Sequence, residues 1–296
     1  MKSFYFQVIL LLIAGFQLNA QDQKSEFRQA LEAIDGVEVV KEVRVSQHFT
    51  EAYELRFTQA VDHNYPGGAQ FTQRMFIGHA GYDRPMVLST SGYTAGRLGG
   101  AEPASLLKAN LIRVEHRYFG ESVPDPLVWD NLTVWQSATD HHEIVQAFKT
   151  LYKNKWLSTG HSKDGQTAIQ FKAIYPDDID VAIPYVAPLN LCKVDPRIYD
   201  FLENVGTEAE RKKVFEYQIA LFEKKDEIMP FVKRQAKARK WTFTMGIERG
   251  YDLGVLEFPF AMWQYGQVKP LDLPGMEASA EDLLKPFNQV NALFFF

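Results

Sequence analysis

Two kinds of apolar pattern follow one another along the chain. In the early part, three runs rich in Val, Tyr and Phe show partial two-residue alternation: Val37 to Val45, Glu51 to Thr58 and Phe71 to Gly78. That period predicts half-buried strands. The polar stretch from Gln59 to Gly68 predicts a turn, so this region reads as an antiparallel hairpin. A short helix from Ser25 to Ile34, ended by Asp35-Gly36, precedes it. From Pro85 onward the grammar changes. Strands at Pro85 to Thr90, Leu111 to His116, Trp156 to Thr159 and Ile179 to Val186 alternate with helices at Glu102 to Ala109, Asn131 to Tyr152 and Gly165 to Tyr175. Such alternation predicts βαβ units and a parallel sheet. Sheets of that kind gather ligands beyond the carboxyl ends of their strands. Gly92-Tyr93, Arg117-Tyr118 and Ser162 each follow a strand end.

After Pro188 the pattern becomes helical. Thr207 lies three residues before Glu210, as in a capping box. Val214, Tyr217, Leu221 and Phe222 then oppose a charged, solvated face. Phe258 to Tyr265 is aromatic enough to line a pocket, or equally to form the core of the helical part. An all-helical segment following an α/β core reads as a cap. The expected organisation is a leader at 1–20, the N-terminal part of an α/β core at 21–190, a helical cap at 191–285, and the start of a return to the core at 286–296. There Asn291 to Phe296 reads as a buried strand.

Composition narrows the picture. The 296 residues are 46% hydrophobic and 23% charged, which fits a folded globular chain. The net charge of −5 comes without a basic stripe, which argues against nucleic acid as a partner. Cys192 is the single cysteine, so an internal disulfide and a cysteine-rich zinc site are both excluded. Lys2, the apolar run Phe4 to Phe16 and the small-residue site at Leu18-Asn19-Ala20 read as a secretory leader. The mature chain would start near Gln21, secreted or periplasmic, with no stable membrane anchor after cleavage. No metal or other cofactor is indicated.

The chemistry centres on Gly160-His161-Ser162-Lys163-Asp164-Gly165. A buried strand, a sharp turn and a helix in that order form the nucleophile elbow of an α/β-hydrolase; the plainer alternative is a strand–loop–helix capped by serine. The usual G-x-S-x-G is broken, because Asp164 holds the second glycine position and Gly165 comes one residue late. The Lys163 N–H, at the helix start, would face an oxyanion formed on Ser162. All seven histidines precede Ser162, whereas the chain order in this fold is serine, acid, histidine. His161 is a neighbour around a tight turn and should point away. His141 shares a helix face with Ala138, Val145 and Phe148, as a packed residue would. His116 reads as part of a core polar cluster, and His141-His142 diverge too far to ligate one metal. The expectation is a C-terminally truncated core that lacks its catalytic acid and histidine.

Several motifs resemble one family. Val114-Glu115-His116-Arg117-Tyr118-Phe119-Gly120-Glu121-Ser122 is similar to a motif shared by lysosomal Pro-Xaa carboxypeptidase relatives and secreted bacterial tripeptidyl aminopeptidases. Gln59-Ala60-Val61-Asp62-His63 followed by Phe71-Thr72-Gln73-Arg74 resembles the paired N-terminal motif of both groups. Ala138 to His142, the elbow with Ser162-Lys163, Tyr185 to Leu189, Val255 to Phe260 and Trp263 to Gly266 resemble the bacterial aminopeptidases. The resemblance implies an α/β-hydrolase with a helical cap, and a secreted serine exopeptidase that removes short peptides from free N-termini. It implies Ser162 as nucleophile and the N–H of Lys163 with one near Gly92-Tyr93 as oxyanion hole. The family's elbow reads G-x-S-K-G-G, so Asp164 departs from it. An aminopeptidase needs an acidic group for the substrate ammonium, and Glu115, Glu121 and Glu257 are the candidates. An inactive peptide-binding remnant and an esterase or lipase of the same fold are the alternative readings.

Overall fold

The computed structural model describes residues 24–45 and 48–290. The leader expected at 1–20 and the strand expected at Asn291 to Phe296 lie outside them. The chain divides into two units, one up to Leu189 and one from Asn190.

The first unit is built on a seven-stranded sheet among the described residues. Its strands are β1 (Val37–Glu42), β2 (Glu51–Ala60), β3 (Gln70–His79), β4 (Met86–Thr90), β5 (Asn110–Val114), β6 (Trp156–His161) and β7 (Val181–Tyr185). They lie in the order β1-β2-β3-β5-β4-β6-β7. The β2–β3 hairpin is antiparallel from Glu51 opposite His79 to Ala60 opposite Gln70, and β3 runs antiparallel to β5. From β5 through β4 and β6 to β7 every pairing is parallel. The change of grammar near Pro85 therefore marks the passage from antiparallel to parallel pairing.

Helices α1 (Glu26–Glu32), α2 (Glu102–Leu107), α3 (Val134–Phe148) and α4 (Lys163–Ile174) connect or flank the strands. Alternate strand residues face opposite ways. Leu55, Met75, Leu88, Ile112 and Val114 pack with Phe27 of α1, Ile144 and Phe148 of α3 and Phe171 of α4. Phe76, Val87 and Leu111 join Ala104 of α2 and Leu98 in a second cluster. Helix α3 starts later than expected. Residues Trp129–Asn131 form a short 3₁₀ turn, and the Thr133 hydroxyl caps the helix by accepting the Gln136 N–H.

The second unit holds α5 (Arg197–Asn204), α6 (Glu208–Glu223), α7 (Lys225–Arg239), α8 (Ile247–Tyr265) and α9 (Ala280–Gln289). Thr207 and Glu210 form the reciprocal capping box at the start of α6. The unit is less uniformly helical than its pattern suggests, with breaks around Gly246 and Gly266 at positive φ. Phe258, Ala261 and Met262 are core residues beside Tyr217, Tyr251 and Phe287, so much of the aromatic run serves packing. Buried Tyr251 donates to the Leu221 carbonyl and Tyr217 to that of Leu283, which ties three helices together.

Candidate active site

Strand order brings the candidate residues together. β4 lies beside β6 in parallel register, Ser89 opposite Thr159. The loop leaving β4 (Ser91-Gly92-Tyr93) and the turn leaving β6 (His161-Ser162-Lys163) thus emerge side by side at the carboxyl end of the parallel strands. Ser162 has φ 55° and ψ −124°, a sparsely populated backbone region for a residue with a side chain. Such a conformation costs about 1–3 kcal/mol and survives only where its surroundings impose it. Here the Ser162 N–H donates to the Tyr185 carbonyl of β7 at 2.9 Å, and the Ser162 carbonyl accepts the Gln166 N–H of α4 at 2.9 Å. The result is an exposed serine at the apex between strand and helix.

Two glycines permit the turn. A Cβ on residue 160 would sit 2.4 Å from the Asp164 carbonyl oxygen, and one on residue 165 would sit 2.8 Å from the Gly160 oxygen. The glycine one place late in the motif is therefore the one that presses α4 against β6. Lys163 is the first residue of α4, where a helix N–H has no intrahelical acceptor and the helix dipole favours negative charge. Its side chain turns across the β4 loop. The Lys163 ammonium lies 4.3 Å from the Tyr93 ring centre and 4.6 Å from that of Phe119. Burial of this half-covered ammonium lowers its pKa.

Asp164 does something the motif did not suggest. Its Oδ1 accepts the Gly92 N–H at 2.6 Å, and its carbonyl accepts the Thr90 hydroxyl at 2.9 Å. The Gly92 N–H is thereby engaged, which narrows the expected donor at Gly92-Tyr93 to Tyr93. The Tyr93 carbonyl accepts the His116 N–H, so the loop is held on that side as well.

No histidine of the described residues is hydrogen-bonded to Ser162. His161 stacks on Tyr185 at 4.5 Å. His116 is nearly buried, donates through Nδ1 to the Arg117 carbonyl, and accepts the Ser137 hydroxyl at Nε2. Burial lowers its pKa. His141, fully buried, donates through Nδ1 to the Ser137 carbonyl, and burial draws its pKa down to about 4. His142 pairs with Asp178 and His63 with Asp140. Among the described residues there is no group of three His, Cys, Asp or Glu side chains able to hold a metal ion.

The conspicuous motifs serve a buried scaffold instead. The Arg117 guanidinium, wholly buried, grips Asp140 with Nε at 2.6 Å and Nη2 at 2.7 Å, and also donates to the carbonyls of Ala60, Val61 and Asn131. Gln59 donates to Gln73, which donates to the Glu115 carbonyl. Glu115 is fully buried, and its carboxylate accepts the N–H groups of Ala95 and Glu121 and the Ser122 hydroxyl. Glu121 pairs with Arg56 and Arg74. Of the three carboxylates considered for a substrate ammonium, Glu115 and Glu121 are thus committed to structure. Glu257, in the helical unit, is half-buried, and its burial raises its pKa. Sequence reasoning missed the Arg117–Asp140 pair, although both residues stood in the motifs that drew attention.

The sequence profile of the PS-10 peptidase S37 family matches residues 20–289. The prolyl tri/tetrapeptidyl aminopeptidase of Streptomyces mobaraensis is 34% identical over 242 residues, covering 80% of this chain and 51% of that protein. The chain thus spans about half the length of that curated relative. Among solved structures, acetyl xylan esterase 1 from Thermoanaerobacterium sp. overlaps 63% of this chain and 68% of its own, at 14% identity and a TM-score of 0.38. An α/β-fold hydrolase from Bacillus anthracis overlaps 49% of this chain and 55% of its own, at 20% identity and a TM-score of 0.33. With its mixed sheet, a serine-bearing elbow after β6 and a profile match over nearly all its length, the chain belongs to the PS-10 peptidase S37 family of serine peptidases.

Proposed function

We propose that Ser162 is the nucleophile of a secreted exopeptidase that releases short peptides from free N-termini by acyl transfer. The observation that carries this reading is the exposed serine at positive φ on the turn between β6 and α4. In the reaction its hydroxyl adds to the scissile carbonyl. The N–H groups of Lys163 and Tyr93 stabilise the resulting oxyanion. The leaving amine departs with a proton, and water then releases the acyl peptide. In this reading the proton carrier is a histidine supported by an acid, and both belong to polypeptide beyond residue 296. The match to a tri/tetrapeptidyl aminopeptidase, of which this chain covers only 51%, supports that placement. The leader at 1–20 would direct secretion, and the helical unit from Asn190 would select short peptides.

A fluorophosphonate probe tests the reading. In the longer polypeptide Ser162 should label rapidly, and Ser162→Ala should abolish labelling. In residues 21–296 alone labelling should be slower by several orders of magnitude, since serine and histidine act as a unit. Labelling of the longer polypeptide that persists in Ser162→Ala would overturn the assignment. A second reading, a catalytically inactive peptide-binding remnant, draws on the absence of any histidine bonded to Ser162 among the described residues. Peptide binding by residues 21–296, with no labelling in any form of the protein, would favour it.

A further inference from the structure

Gly92 fits against the elbow so closely that a Cβ there would lie 2.6 Å from Lys163 Cγ and 2.9 Å from the Lys163 carbonyl carbon. The two residues after the serine both reach back to this loop, by different chemistry. Asp164 Oδ1 accepts the Gly92 N–H at 2.6 Å. The Lys163 ammonium sits on the Tyr93 ring at 4.3 Å, and Phe119, at 4.6 Å from the same ammonium, meets Tyr93 edge to face at 5.5 Å. The Thr90 hydroxyl donates to the Asp164 carbonyl, which fastens the strand end just before the loop. Asp164 thus holds the residue before Tyr93, and Lys163 holds Tyr93 itself.

We propose that Lys163 and Asp164 are positioning residues: together they latch the loop after β4 to the elbow and fix the Tyr93 N–H as the partner of the Lys163 N–H in the oxyanion hole. The inference rests on the peptidase reading of Ser162. An oxyanion hole works only if its donors are held where the charge develops, so that no reorganisation is needed during the reaction. A free β4 loop would lose that preorganisation. The aspartate that departs from the family's glycine does not block the hole from this position. It consumes the Gly92 N–H and leaves that of Tyr93.

Two measurements test the latch. The first is hydrogen exchange over residues 91–95 in the full chain. Asp164→Ala and Lys163→Met should each accelerate it about tenfold, equivalent to ~1.4 kcal/mol of local opening, with the β2–β3 hairpin unchanged. Asp164→Asn keeps an acceptor and Lys163→Arg keeps a cation over the rings, so both should stay within about twofold of the parent. The second is fluorophosphonate labelling of the longer polypeptide. The two disruptive variants should lower the maximal labelling rate at least about tenfold without changing the half-saturating concentration. The two conservative variants should retain most of that rate. Unchanged exchange in Asp164→Ala and Lys163→Met would overturn the latch. So would equal rate losses in the conservative and disruptive variants, or a change confined to half-saturation. Exchange as expected but no Ser162 labelling in the parent would sink the peptidase reading and the catalytic part of the latch, leaving only a loop-fixing contact.

Discussion

A methyl group on residue 165 would press 2.8 Å from the Gly160 carbonyl oxygen and 3.1 Å from that of Tyr185, both backbone atoms. Neither can move without shifting β6 or β7, and the Ser162 N–H hangs on the same Tyr185 carbonyl. Gly165→Ala should therefore destabilise by about 1–3 kcal/mol, the usual cost of overpacking, measured as a lower urea midpoint at unchanged slope. Gly160→Ala meets backbone at 2.4 Å and should cost at least as much. At this scale the motif was legible but its spacing misled. Gly165 looked displaced, yet it makes the close approach, because the first turn of α4 brings it over Gly160. Asp164 looked like an intruder. Its acceptor role was hidden because Gly92 lies 72 residues earlier, and nothing local in the sequence announces such a partner.

Between elements, the Arg117–Asp140 pair joins β5's exit to α3, and its carbonyl contacts reach the end of β2. Both side chains are wholly buried. Removing one partner leaves an uncompensated charge, so Arg117→Met should cost about 3–5 kcal/mol by denaturant unfolding. Adding Asp140→Leu to that variant should restore part of the loss, as removal of both charges usually does. In the helical unit the Thr207 hydroxyl accepts the Glu210 N–H at the start of α6, and Thr207→Ala should cost about 1 kcal/mol. The capping box was readable because it is a four-residue pattern. The motifs around Gln59, Gln73, Glu115 and Asp140 were equally visible, but their function was not. A buried hydrogen-bond network and a catalytic cluster draw on the same polar residue types, and only burial and partners separate them.

For the whole molecule, two histidines tie stability to pH. Burial holds His141 near pKa 4 and lowers that of His116, against an ordinary value near 6.5. The unfolded chain therefore binds more protons than the folded one between those values, and stability rises with pH there. This stabilisation is complete above about pH 6.5 and lost as pH falls toward 4; for His141 it is on the order of 3 kcal/mol. Urea unfolding at pH 7 and pH 5 should show the acid sample weaker, and His141→Leu should flatten the dependence. An unchanged slope in that variant would place the effect elsewhere. No helix of the described residues is long and apolar enough to cross a membrane.

The sequence by itself determined the succession of elements, the change from antiparallel to parallel pairing near Pro85, the capping box at Thr207 and the serine-bearing turn. Each depends on residue period or on a few neighbouring residues, where backbone sterics and local hydrogen bonds act. Only the tertiary structure decided that β4 sits between β5 and β6, and hence that Gly92-Tyr93 meets Lys163 and Asp164, the two residues after Ser162. It also decided that the Glu115 carboxylate accepts three hydrogen bonds, that Arg117 closes on Asp140, and that Asp164 caps the Gly92 N–H. Those pairings join residues far apart in the chain, and they arise from the burial of polar groups that must then find partners.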